Sequence, residues 1–271
     1  MRLAAYLERV GFEGTPRADL DTLRRLHRAH VLAIPYENLD VQLRRPVSLD
    51  ARDVYEKLVE RRRGGWCYEM CGLLAWALEE IGFRVTRMEG AVWRAQLGEI
   101  SVGNHLVLRV DLERPYLADV GLGDGILEPV PLAVGPIRQG WLEFRLEQLG
   151  ESWWRFHNHP HGAAPSFDFR NAPGRAETFA AQCERLQTDP ASNFVLNAVC
   201  KRHVPDRIEE LRGRTRRTVR DTGVEQRLLE SADEYVDTLA RVFGLDLPEA
   251  ASLWPCIVAR HEELFGARPP S

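Results

Sequence analysis

Residues 61–82 read Arg-Arg-Arg-Gly-Gly-Trp-Cys-Tyr-Glu-Met-Cys-Gly-Leu-Leu-Ala-Trp-Ala-Leu-Glu-Glu-Ile-Gly. The stretch divides at Trp66. Before it, two glycines mark a turn. After it, Met70, Leu73, Leu74, Ala77, Leu78 and Ile81 form one apolar stripe at helical spacing, and Gly82 supplies a C-terminal stop. Cys67 thus opens the strongest helix of the chain. A thiol there meets the positive end of the helix dipole and the unpaired N–H groups of the first turn, which favours the thiolate, the nucleophilic form. Gly64 and Gly65 let the backbone come close to a bound group with no Cβ in the way. The plain alternative is a buried structural cysteine, because free Cys is among the most buried residue types. Cys71, one turn further along the same face, reads as a core position.

Outward from this helix, the first ninety residues are mainly helical. Met1 to Val10 reads as a short amphipathic helix. Leu20, Leu23, Leu26 and His27 recur at helical spacing behind a possible N-cap at Asp19 or Asp21. The pattern breaks at Ile34-Pro35, and a further helix starts near Ser48-Leu49-Asp50 and runs through Val54, Leu58 and Val59. From Arg84 to Phe169 the pattern changes to alternation and short turns, with strands expected at 84–93, 104–111, 116–120, 141–148 and 153–156. This predicts an antiparallel, barrel-like β region. Beyond it, helices are expected at 176–186 and 233–243, the latter stopped by Gly244, and strands at 194–204 and 215–219.

The chain has 271 residues, 44% of them hydrophobic, and a formal net charge of −4 from 36 basic and 40 acidic residues. So even a balance gives no electrostatic reason to expect a nucleic acid or an anionic membrane as partner. Lys57 and Lys201 are the only lysines, which reads as a compositional bias towards Arg. No apolar run is long enough to span a bilayer and the N-terminus has no signal-like core, so a cytoplasmic location is expected. The five cysteines, 67, 71, 183, 200 and 256, are odd in number and irregular in spacing, so no disulfide framework is expected. The run His157-Asn158-His159-Pro160-His161 could hold a metal on spacing alone, but Pro160 and the loop setting favour a solvated turn; no metal is expected.

A cysteine nucleophile needs a base and a group to orient that base. His105 begins one apolar strand and Asp119 ends the next, and the turn 111–115 makes the two a hairpin. A register centred on that turn places them opposite or nearly opposite, on one face, with Cβ atoms roughly 5 Å apart. A carboxylate in so apolar a strand must be paired if it is buried. The spacing does not itself show that Cys67 reaches the hairpin.

Taken together, these segments resemble the bacterial type of the arylamine N-acetyltransferase family. Ile34-Pro35-Tyr36-Glu37-Asn38-Leu39-Asp40 resembles its IPFENLD segment, and residues 63–69 its RGGxCxE segment. Asn104-His105-Leu106 and residues 118–123 resemble its THM and VDVGFG segments; residues 186–192 and 243–248 also have counterparts. The resemblance implies an α+β fold: an N-terminal helical bundle (1–85), a central antiparallel β-barrel (86–190) and a C-terminal α/β lid (191–271), around a cysteine-protease-like catalytic core. It implies a triad of Cys67, His105 and Asp119 working by a ping-pong reaction. Acetyl-CoA, a co-substrate and not a bound cofactor, would acylate Cys67; an arylamine, hydrazine or N-hydroxyarylamine would then take the acetyl group. CoA contacts are expected at Gly121, Gly123, Gly125, Thr188 and Ser192, and an acceptor contact at Leu122. Three departures stand out. Met70-Cys71 replaces the usual Gln-Asn, Leu122 the usual Phe and Asn104 the usual Thr.

Three other readings use the same residues. A related acyltransferase or amide synthase would keep the triad and change the acyl donor or acceptor. A cysteine hydrolase would admit water. A silent binding module would leave the triad residues without a purpose.

Overall fold

The computed structural model describes residues 1–266. The N-terminal part is helical: α1 (Leu3–Val10), α2 (Leu20–Ala33), α3 (Leu39–Gln42), α4 (Ala51–Tyr55) and α5 (Cys67–Ile81). Asp19 is the N-cap of α2, accepting the Thr22 N–H at 2.8 Å; Asp21 lies in the first turn, where a negative charge suits the dipole. Asp50 caps α4, which continues as a π-helical turn, Glu56–Glu60. α5 is buried on nearly all sides and stops at Gly82, whose φ of 103° is open to glycine and strained for other residues. It is the central helix, with α1, α2 and α4 packed around it.

Between α2 and α3 lies the short strand β1 (Tyr36–Glu37). After α5 come β2 (Arg84–Val92), the helical turn α6 (Arg94–Leu97), β3 (His105–Asp111), β4 (Pro115–Ala118), β5 (Val130–Pro131), β6 (Gly135–Gln139), β7 (Leu142–Leu149), β8 (Trp153–His157) and β9 (Ser166–Pro173). β2 to β9 form one antiparallel sheet in the order β5-β4-β3-β2-β9-β8-β7-β6. It curls into a barrel around Met88, Val107, Leu117, Leu122, Phe156 and Phe167. The seam between β5 and β6 is bridged by a side chain. Gln139 Oε1 accepts the N–H groups of Leu127 (2.7 Å) and Glu128 (3.1 Å), and its Nε2 donates to Glu128 O (2.7 Å), as a strand neighbour would. The five expected strands are present within two residues at each end. β5, β6 and β9 were not foreseen: β5 is two residues long and β6 opens on Gly135-Pro136, whereas Ser166-Phe167-Asp168-Phe169-Arg170 in β9 does alternate and was a signal missed.

The C-terminal part contains α7 (Ala176–Thr188), α8 (Asn193–Leu196), β10 (Val199–Val204), β11 (Arg207–Arg212), β12 (Thr215–Arg220), β13 (Gly223–Leu228), α9 (Ala232–Thr238) and α10 (Trp254–Phe265). The strand expected from Phe194 starts only at Val199. Ser192 accepts the Phe194 N–H and turns residues 193–196 into helix first. β1 joins the edge of this sheet, pairing Tyr36 with Lys201 and Glu37 with Cys200, in the order β1-β10-β11-β12-β13. Asn38 fastens the joint: its Oδ1 accepts the Val199 N–H at 2.8 Å and its Nδ2 donates to Phe194 O and Asn197 O, both at 2.9 Å. The chain is thus an α+β protein: helices, a nearly closed antiparallel barrel, and an α/β part tied back to the helices through β1. Among the described residues no helix is long and apolar enough to cross a membrane.

Candidate active site

Residues 34–40 and 63–69 are zipped together. The Glu37 N–H donates to Gly65 O at 3.0 Å and the Gly65 N–H to Pro35 O at 3.3 Å. A Cβ on Gly64 would lie 2.2 Å from Pro35 O, and one on Gly65 would lie 2.7 Å from Glu69 Oε2. The two glycines therefore admit the chain's own backbone and the Glu69 carboxylate. That differs from the expectation that they admit a bound group. Around this zipper lies a knot of buried charges. Arg63 reaches Glu37 (2.7 Å) and Asp40 (3.2 Å); Lys57 reaches Asp40 (2.7 Å) and Glu69 (2.8 Å). Burial opposes the Lys57 ammonium, but Glu69, Glu37 and Asp40 more than offset it and its pKa is raised. Burial lifts the Glu69 carboxyl to about 7, against the pull of Lys57. Glu69 also accepts the Trp66 N–H at 3.2 Å, the return half of a capping box at the start of α5. The knot fixes where Cys67 sits.

β3 and β4 bring the other two residues to it. The hairpin register pairs Leu108 with Ala118 and Arg109 with Leu117. Continued past β4, it sets Val107 opposite Asp119, so His105 is two residues further along the same face. The expected common face holds; the direct pairing is a diagonal one. His105 Nε2 lies 2.9 Å from Asp119 Oδ2, and Cys67 is close enough to raise the pKa of the same ring. Asp119 takes Nε2, so Nδ1 is the ring nitrogen that remains to exchange a proton. Burial opposes the imidazolium, yet the charge and hydrogen bond of Asp119, with those of Cys67, carry the His105 pKa up to about 10. The ring edge rests on Phe167, with centroids 4.8 Å apart. Asn104 extends the β2–β3 ladder: its Oδ1 accepts the Val92 N–H (2.8 Å) and its Nδ2 donates to Val92 O (3.1 Å). Its carbonyl oxygen lies 3.9 Å from Cys67 Sγ. The three residues are nearly sealed from solvent, at 2% exposure for Cys67 and His105 and 4% for Asp119.

The glycine-rich turn after Asp119 is packed against the same group. A Cβ on Gly121 would meet Cys67 Cα and Cβ at 2.9 Å and Cys71 Sγ at 3.0 Å. One on Gly123 would meet Tyr36 Cβ at 2.8 Å, and one on Gly125 would meet Leu122 at 3.3 Å. Leu122 is buried in the barrel cluster that contains Phe167. Thr188 and Ser192 lie beyond, at the end of α7 and the start of α8. Their hydroxyls donate to Glu184 O (2.7 Å) and Leu186 O (2.6 Å).

Asp124 is fully buried and latches the turn to the C-terminal sheet. Its Oδ2 receives Lys201 Nζ at 3.0 Å and the Ala163 N–H at 2.7 Å. Its Oδ1 has no hydrogen-bond partner, and Glu210 likewise leaves Oε1 unpaired; burial and the neighbouring charge of Asp124 raise the Glu210 carboxyl to about 7. The chain's two lysines, read from sequence as compositional, are both buried in ion pairs. Their rarity beside so many arginines was the available signal. The run at 157–161 is the expected solvated turn only at Pro160 and His161, which are exposed. His157 pairs with Glu147 (2.7 Å), and His159 is buried with Nε2 3.0 Å from Asp124 O. Among the described residues no group of three His, Cys, Asp or Glu side chains is arranged to hold a metal ion.

A family model described as N-acetyltransferase matches residues 19–252. The arylamine N-acetyltransferase of Mycolicibacterium smegmatis is 37% identical over 259 residues, 93% of this chain and 94% of that one. The Escherichia coli (strain K12) arylamine N-acetyltransferase is 32% identical, over 90% of this chain and 89% of that one. The solved structure of the Mycobacterium marinum arylamine N-acetyltransferase in complex with CoA superposes with a TM-score of 0.86 at 32% identity, covering 97% of this chain and 99% of that one. With a family model matched over most of the chain, a relative 37% identical over nearly its whole length and the fold in common, the chain belongs to the arylamine N-acetyltransferase family.

Proposed function

We propose that the protein transfers an acetyl group from acetyl-CoA to an arylamine, hydrazine or N-hydroxyarylamine through a thioester on Cys67. The observation that carries this is a buried helix-start thiol, 3.9 Å from the carbonyl oxygen of the residue before His105, beside an imidazole whose Nε2 is held by Asp119 at 2.9 Å. The Cys67 sulfur attacks the thioester carbonyl carbon. The oxyanion that forms is met by N–H groups of the first turn of α5, which have no intrahelical partner, Cys67's own among them. On collapse the CoA sulfur leaves as a thiol with the proton of His105. Acetylation removes both contributions of the Cys67 sulfur to the imidazolium, which favours that release. Neutral His105 then accepts the proton of the attacking amine, and the Cys67 thiolate is expelled.

The near-complete burial of the triad keeps bulk water off the thioester, which favours transfer over hydrolysis. CoA would lie along the Gly121, Gly123 and Gly125 turn towards Thr188 and Ser192, approaching backbone, since the glycines' open sides are filled from within. Leu122 would border the acceptor. All five cysteines are free thiols, which suits the reducing cytoplasm. Initial rates over a grid of acetyl-CoA and arylamine concentrations test the scheme. Parallel double-reciprocal lines are expected; intersecting lines mean a ternary complex and remove the thioester.

A further inference from the structure

Cys71 occupies a position that a core residue would fill, yet its thiol faces the catalytic turn. It is fully buried, one helical turn from Cys67. Its Sγ lies 3.6 Å from Asp119 Oδ1. Asp119 Oδ1 also accepts the Gly121 N–H at 2.8 Å, while Oδ2 is taken by His105. We infer that Cys71 is a positioning residue: its S–H is the second donor that holds Asp119 Oδ1 and so aims Oδ2 at the imidazole. The inference rests on the reading of Asp119 as the group that orients His105.

The thiol suits this part for two reasons. Burial and the neighbouring carboxylate raise its pKa well above the ordinary value, so it stays a donor wherever the enzyme works. An S–H is also a weak, long donor. It fixes the orientation of Asp119 while leaving most of the carboxylate charge for His105. There is little slack for a substitute motion, because Gly121 is in close contact with both sulfur-bearing residues.

The test compares wild type with Cys71→Ala, Cys71→Ser and Cys71→Asn, and with Asp119→Asn as reference. The pH dependence of kcat/KM and the pH dependence of Cys67 alkylation by iodoacetamide are read together with Tm. Cys71→Ala removes the donor. It is expected to lower kcat about five- to tenfold, the scale of one hydrogen bond, with KM for acetyl-CoA within about twofold. Its pH window should narrow from both sides, because a less firmly held Asp119 supports the ion pair less. Asn, which restores a donor, should recover the window; Ser should fall between. If Cys71→Ala does not fold, Cys71→Val, which also lacks a donor, gives the same comparison against wild type. A Cys71→Ala enzyme with an unchanged pH window, whether active or weakened only in step with Tm, overturns the inference. Should Asp119→Asn itself stay active, the reading of the triad fails; an inactive Asp119→Asn beside an unaffected Cys71→Ala refutes only the part given to Cys71.

Discussion

Asp119 carries three hydrogen bonds with two oxygens, from His105, Gly121 and Cys71, and every one of them is buried. Asp119→Asn keeps the shape and loses the charge that supports the imidazolium. It is expected to fold normally and to lose activity on the order of 10⁴-fold, as the equivalent change does in a serine protease; turnover near wild type would remove Asp119 from the triad. Leu122 gives a second prediction. It lies in the apolar cluster shared with Phe167, without the aromatic face usual at this position in the family. Leu122→Phe should raise the preference for small flat amines over bulky ones several-fold, since an aromatic contact is worth about 0.5–1.5 kcal/mol beyond area. The ratio of two specificity constants measures it, and an unchanged ratio makes Leu122 neutral. Cys67, His105 and Asp119 were legible because each sits at an end of a segment with a clear period. The work of Cys71, Lys57 and Lys201 was not, because burial and facing groups arise only when distant segments meet.

At the scale of elements, the start of α5 depends on the knot of Lys57, Asp40, Glu69, Arg63 and Glu37. Lys57→Met leaves Asp40 and Glu69 without their shared cation. A loss of about 3–5 kcal/mol is expected, read as a fall in Tm of about 2–4 °C per kcal/mol; an unshifted Tm would show that the knot relaxes without it. The latch between the glycine turn and β11 gives a pH-dependent prediction. The Glu210 carboxyl is raised from 4.5 to about 7. Between those values the folded chain holds a proton that the unfolded chain has released. The stability this proton supplies is therefore present at low pH and is lost as pH rises through about 7. Glu210→Gln is uncharged at every pH, so its Tm relative to wild type should climb between about pH 5 and pH 8.5. A constant difference would mean that Glu210 does not titrate there. The pairing of β3 with β4 and its register could both be read from the turn 111–115, which sets Asp111 opposite Pro115 and leaves His105 nearly opposite Asp119, on the diagonal. β1 and β6 were illegible because their partners, not their own alternation, make them strands; β9 alternates over Ser166-Phe167-Asp168-Phe169-Arg170 and could have been read.

For the whole molecule, the helices deliver Cys67, the barrel delivers His105 and Asp119, and the C-terminal sheet holds the turn that packs against them. The segments that mark these junctions were visible in sequence: 34–40, 63–69, 104–106 and 118–123. What fastens them was not, because the clasps are single side chains such as Asn38, Asn104, Gln139 and Asp124, whose partners lie far off in the chain. The central claim is that Cys67 alone carries the acetyl group between donor and acceptor. Intact-protein and peptide mass spectrometry of the enzyme mixed with acetyl-CoA, before and after addition of an arylamine, tests it directly. The account predicts one acetyl group, on the peptide containing Cys67, that disappears as the N-acetylated amine forms. No acetyl adduct during turnover, or one that stays on another residue while product accumulates, would contradict it.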